Sequence, residues 1–160
     1  MRLLKLAVIL LSFSLLSACS KEEPSIQSDY IVFGAFSMEC FGDQCFKTYK
    51  LDNVQHHLYE DTTTIYPAFP SPERQGQYVL KSQALYDQVK GLSDKIPASL
   101  LAMPNGDVNI HAVADAYTYY VEIQQGDEKR HWYMEADKAN VPSSLHAFHS
   151  EIKARIDLLR

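Results

Sequence analysis

Basic charge is scarce in this chain. Its 160 residues carry 15 Lys and Arg against 20 Asp and Glu, a formal net charge of −5. A nucleic-acid partner needs a basic stripe that neutralises phosphates, so that partner class is not expected. Long apolar runs are missing too. The most hydrophobic stretch, residues 6–16, falls short of the ~20 residues that a permanent transmembrane helix requires. Neither Gly-x-Ser-x-Gly, nor a Gly-rich phosphate loop, nor His-Glu-x-x-His occurs, so no short motif marks a nucleophile, a nucleotide or a zinc site. Cysteine is limited to three residues, and there is no internal repeat or low-complexity segment.

What is present begins with Arg2 and Lys5, followed by the apolar stretch and then by the small residues Ser17 and Ala18 before Cys19. That is the layout of a secretory signal. Leu16-Ser17-Ala18-Cys19 also resembles the bacterial lipoprotein box. The resemblance implies lipid on the Cys19 thiol, cleavage before Cys19 and acylation of the new amino terminus. On this reading residues 1–18 are a signal peptide, 19–28 a lipidated tether and 29–160 a single domain. Ser20 and Lys21 follow the cysteine with no Asp in the position that retains enteric lipoproteins in the inner membrane. The resemblance therefore implies the outer membrane, with the domain facing the periplasm. Removing residues 1–18 takes away two basic side chains and no acidic one, so the charge of the remainder is −7. Such a domain has little attraction for anionic lipid, which leaves membrane attachment to the covalent anchor.

With Cys19 assigned to lipid, Cys40 and Cys45 remain. An even remainder in an oxidising compartment reads as a disulfide. The competing reading, half of a metal site, needs further Cys or His ligands, and none lies close in sequence.

The pattern predicts α+β: one antiparallel β-sheet with two main helices packed on one face. Residues 30–33 are β-branched and aromatic, a strand ending near Gly34. Gly42-Asp43 supplies a turn, 46–51 a second strand, Asp52-Asn53 another turn and 57–63 a third strand. Over residues 64–77 the pattern stops. Pro67, Pro70 and Pro72 exclude a helix interior or a central strand, which leaves a long loop carrying Tyr66 and Phe69. A helix from Ser82 to about Lys95 would align Leu85, Val89, Leu92 and Ile96. Pro97 permits a new turn, and Pro104-Asn105-Gly106-Asp107 is a turn. Residues 117–124 alternate, with Tyr119, Val121 and Ile123 opposite Tyr120, Glu122 and Gln124, and Gly126-Asp127 folds them onto 129–134 as a hairpin. A final helix after Pro142 places Leu145, Phe148, Ile152, Ile156 and Leu159 on one stripe, with Glu151 and Arg155 as an i, i+4 pair.

Few residues invite chemistry. His146 and His149, three apart on that helix, are weak metal candidates without a third ligand set by spacing. His149 borders the apolar stripe and His146 lies further round. His56 and His57 point to opposite sides of a strand and cannot share a site. Asp107, His111 and Asp115 are spaced by fours, yet they fall in loop; a His111–Asp115 pair would be an oriented base with no marked nucleophile. Tyr117, Tyr119, Tyr120, Trp132 and Tyr133 are read chiefly as packing. Tyr66 and Phe69 are the better recognition candidates, because prolines reduce the entropy lost on docking.

The runs Cys40-Phe41-Gly42-Asp43-Gln44-Cys45, Tyr49-Lys50-Leu51 and Leu58-Tyr59-Glu60-Asp61 resemble a group of small, uncharacterised bacterial lipoproteins. So do Ala114-Asp115 with Tyr119-Tyr120-Val121-Glu122-Ile123, and Val141-Pro142 before the last helix. The group often has two further cysteines ahead of the Ala-Asp pair, where Ile110 and Val113 stand here. It supplies no activity, and no cofactor is expected; Asp115 is the first polar position to examine for binding, with a turn or cap role as its default explanation. The expectation is a lipid-anchored, non-catalytic protein that binds an envelope protein or other envelope component. The rivals are a small periplasmic enzyme or metal binder, and an inhibitor of a secreted hydrolase presenting the proline loop.

Overall fold

The computed structural model describes residues 28–37, 45–63, 76–108 and 117–160. Among the described residues seven strands form one open, mostly antiparallel sheet, accompanied by three helices, an α+β arrangement. In chain order they are β1 (Tyr30–Phe36), β2 (Phe46–Asp52), β3 (His57–Asp61), β4 (Tyr78–Leu80), α1 (Gln83–Val89), α2 (Ala98–Leu101), β5 (Gly106–Asp107), β6 (Thr118–Gln125), β7 (Glu128–Glu135) and α3 (His146–Leu159). The spatial order is β4-β3-β2-β1-β6-β7-β5. Every neighbouring pair is antiparallel except β5 and β7, where Gly106 and Asp107 run parallel to Trp132 and Tyr133. The all-antiparallel expectation therefore fails at that edge.

β1 lies in the middle of the sheet, and six of its seven residues are buried. It does not stop at Gly34. A Cβ there would sit 2.2 Å from the Lys47 carbonyl oxygen and 2.4 Å from the Thr48 methyl, so the glycine admits β2 rather than breaking the strand. Alternate residues fall into two clusters. Ile31, Phe33 and Ala35 of β1 join Tyr49, Leu51, Leu58, Tyr119, Val121, Ile123, Trp132 and Met134 in the larger one. Val32 and Phe36 join Tyr120 and Tyr133 in the smaller, with Tyr30 and Phe46 packed against it. This is the period-two signature of a sheet with two distinct sides.

The larger cluster also takes Tyr86, Val89, Leu92, Ile96 and Leu100, and Leu145, Phe148, Ile152 and Ile156. Both expected stripes are therefore largely buried, with Leu85 and Leu159 only half-buried at their edges. The first is carried differently: α1 ends at Val89, and Gly91 at φ +84° turns the chain out of helical geometry before a 3-10 turn over Ser93–Lys95. Ser82 occupies the N-cap position of α1 without a capping side-chain bond. α3 follows a 3-10 turn, Ser143–Leu145, and also lacks a side-chain cap. Its Arg155 meets Glu151 at 3.4 Å, as the spacing predicts. The Tyr49 hydroxyl donates to the Leu159 carbonyl at 2.9 Å, tying the end of α3 to β2. Burial, with the Glu60 carboxylate as a lesser cause, pushes the Tyr49 phenol up to about 12. Among the described residues no helix is long and apolar enough to cross a membrane.

Candidate functional site

Three places hold polar groups where the fold constrains them. The first is the point where the chain leaves β3 and returns as β4. Asp61 ends β3 with only 4% of its surface exposed, so its carboxylate must find donors inside. Its Oδ1 accepts from the Thr63 backbone N–H and hydroxyl, both at 2.8 Å, and from the Gln77 N–H at 3.1 Å. The Thr62 N–H donates to the Gln77 carbonyl at 2.8 Å. Gly76 lies against the same group: a Cβ there would come within 2.6 Å of Asp61 Oδ2 and 2.7 Å of the Tyr78 ring. Residues 63 and 77 are thus pinned by one carboxylate. Beyond the pin, β4 presents Val79 and Leu80 more than half exposed.

The second place is the smaller-cluster side of the sheet. Glu122 on β6 is 4% exposed and lies opposite His131 on β7. Its carboxylate accepts from the Tyr120 hydroxyl at 2.7 Å and the Tyr30 hydroxyl at 3.2 Å, and Lys129 Nζ stands 3.5 Å away. Burial, reinforced by Glu122, holds the Tyr30 phenol above its usual range. Lys50 caps the Tyr30 ring, with its ammonium 4.4 Å from the centroid. Burial lowers the His131 pKa against the pull of Glu122. The cluster is a satisfied buried network: two phenols and an ammonium meet one carboxylate.

The third is a groove where α3 passes the ends of β6 and β7. Two adjoining hollows of about 200 and 360 Å³ share Ala136, Lys153 and Asp157 as walls. Tyr119 and Arg160 line one, Lys138 and His149 the other. Lys153 and Asp157 form an ion pair one helical turn apart.

His149 is buried at 2% exposure, and its Nε2 lies 2.9 Å from the Glu135 carbonyl. A carbonyl only accepts, so Nε2 carries the proton. Burial lowers the pKa of the ring, which leaves it neutral. His146 Nε2 likewise donates to the Val141 carbonyl at 2.9 Å. The pair proposed from spacing thus has one nitrogen of each ring already engaged, and among the described residues no three His, Cys, Asp or Glu side chains converge. His56 and His57 are separated as expected, though not by strand alternation. His56 sits in the turn at φ +57°, its Nδ1 3.0 Å from the Tyr86 hydroxyl, while His57 Nδ1 meets the Tyr59 hydroxyl at 3.3 Å.

Cys45 is fully buried and disulfide-bonded. Cys19, Cys40, Tyr66, Phe69, His111 and Asp115 lie outside the described residues. Trp132, Tyr119, Tyr120 and Tyr133 are buried, in agreement with packing, and Tyr117 is exposed at 40%. Sequence reasoning passed over Asp61, Glu122 and the groove lysines. Asp61-Thr62-Thr63 did carry a signal, because an Asp that accepts from the N–H two residues on is an Asx turn. No protein-family model matches the chain, and no curated protein matches it either.

Proposed function

We propose that this is a lipoprotein of the bacterial outer membrane, anchored through Cys19, whose periplasmic domain binds a partner protein or envelope component without catalysis. The observation that carries the binding half is the Asp61 pin. Thr63 and Gln77, the described residues that flank segment 64–75, are held by one carboxylate, so the two points where that segment joins the domain are fixed. A fixed neck removes part of the loop-closure and ordering entropy that docking would otherwise cost. Aromatic side chains such as Tyr66 and Phe69 are the commonest anchors in such contacts. The exposed Val79 and Leu80 follow directly in the chain and offer further apolar surface. The anchoring half rests on Leu16-Ser17-Ala18-Cys19.

Two finer structural statements belong to this reading. α1 and α3 both cover the side of the sheet that carries Ile31 and Phe33, as their shared cluster supports. Cys45 pairs with Cys40, which would brace the connection between β1 and β2.

The test is in-cell crosslinking of the full chain. Tyr66→Ala with Phe69→Ala is expected to leave the denaturation midpoint within error and to remove one or more captured partners. An unchanged crosslinked set in a stable double variant refutes docking through the segment. Cys19→Ser is expected to shift the protein out of the detergent phase, and unchanged partition refutes the anchor.

A further inference from the structure

From the groove beside α3 we infer a second binding site, one for a small organic carboxylate. Three cationic side chains line it, Lys153 along both hollows, Arg160 in one and Lys138 in the other, against the single side-chain carboxylate of Asp157. The chain as a whole is net acidic at −5, so this gathering of positive charge runs against the composition. Only Lys153 is paired, and its pair with Asp157 is half-exposed and exchangeable. Among the described residues neither Lys138 nor Arg160 has an ion-pair partner. Tyr119 adds a neutral donor. It is 7% exposed, it lines the groove, and its hydroxyl makes no hydrogen bond among the described residues.

The walls set the rest of the ligand. Ala35, Ala136 and Ile156 are apolar, and Tyr117 stands partly exposed at the rim, so the anionic group comes attached to a hydrocarbon or aromatic body. Asp157 beside the lysines disfavours a compact dianion and favours a monoanion such as a carboxylate. Position argues for a soluble ligand over a membrane headgroup. Ala35 lies seven residues along the chain from Ser28, ~23 Å at the rise of a strand, so the groove is at the opposite end of β1 from the point where the proposed tether joins. That choice of source rests on the anchor reading; the carboxylate chemistry does not.

The probe is N-acetylphenylalanine, titrated into the full chain in neutral detergent and followed by NMR at Tyr119 and His149. Saturable shifts are expected, with no such response to the corresponding amide. Lys138→Gln with Lys153→Gln should weaken the affinity about tenfold, as loss of charge-assisted hydrogen bonds does. Tyr119→Phe keeps the packed ring and should weaken it about threefold, roughly the net value of one neutral hydrogen bond. Wild-type affinity in either variant overturns the site. Equal binding of the amide, or displacement by equimolar inorganic phosphate, overturns the carboxylate assignment. Stronger shifts with phosphatidylglycerol vesicles than with the soluble probe overturn the choice of source. None of these outcomes depends on segment 64–75, so this site and the docking segment stand or fall separately.

Discussion

The two sides of the sheet are made by alternate residues of the same strands, yet they solve different problems. In the larger cluster Ile31, Phe33, Leu51, Val121 and Ile123 are grouped with buried residues of α1 and α3, and stability comes from removing hydrocarbon from water. On the other side Val32 and Phe36 share the interior with Tyr120, Tyr133 and the carboxylate of Glu122. There stability depends on every buried polar atom finding its partner. The first side tolerates any apolar group of the right size; the second tolerates no loss of a donor or an acceptor.

The strongest test of that contrast introduces a carboxylate on one side and removes one from the other. Ile152 is fully buried in the larger cluster, and Ile152→Asp should destabilise by ~4 kcal/mol or abolish folding, since no donor waits there for a charge. A urea midpoint within error of the parent would mean that α3 is not part of the core. Glu122→Leu, which is apolar and of similar size, should also destabilise, by about 2–3 kcal/mol, because it strands the Tyr120 and Tyr30 hydroxyls. Were Glu122→Leu stabilising, the network would be a burden carried for some other purpose, and the contrast between the sides would collapse.

The smallest effect is read from pH. His149 and His131 both have lowered pKa values, each chiefly from burial. A histidine whose folded pKa lies below its ordinary 6.5 binds its proton less readily folded than unfolded. Its contribution to stability is complete above pH 6.5 and is lost as the pH falls through the folded value. The denaturation midpoint should therefore drop between pH 7 and pH 5. His149→Gln should flatten that slope more than His131→Gln, because His149 is buried and His131 is partly exposed. Equal flattening would show that the two rings are equally desolvated.

Legibility followed the same division. Alternation and helical spacing exposed the larger-cluster side almost completely, since hydrocarbon burial leaves a periodic trace. They gave the hairpin of β6 and β7, the α3 stripe and the packing role of Trp132. They failed where a single contact overrides local preference. Gly34 reads as a strand end and is instead the gap that admits β2. Gly91 ends α1 before a stripe that continues into a 3-10 turn. β4 and β5, three and two residues long, are too short to show a period. The polar groupings are harder still. Lys153 and Arg160 come to Tyr119, and Lys138 to His149, only in the folded chain, and nothing local in the sequence marks them as neighbours.

The central place of β1 has a consequence for how the chain acquires its structure. Its partners are β2, some ten residues downstream, and β6, where Tyr30 pairs with Gln124. The first of the described strands to be synthesised therefore keeps one open edge until more than eighty residues have followed it. Until then the backbone donors and acceptors of its β6-facing edge, flanked by Ile31, Val32 and Phe33, are available to any other extended chain. Closing so long a loop is entropically slow, and topologies of this kind fold late rather than piecewise. The hazard is greatest at the moment when half the domain exists, so a holding chaperone, or sheer dilution, matters more to this protein before its sixth strand appears than at any later time.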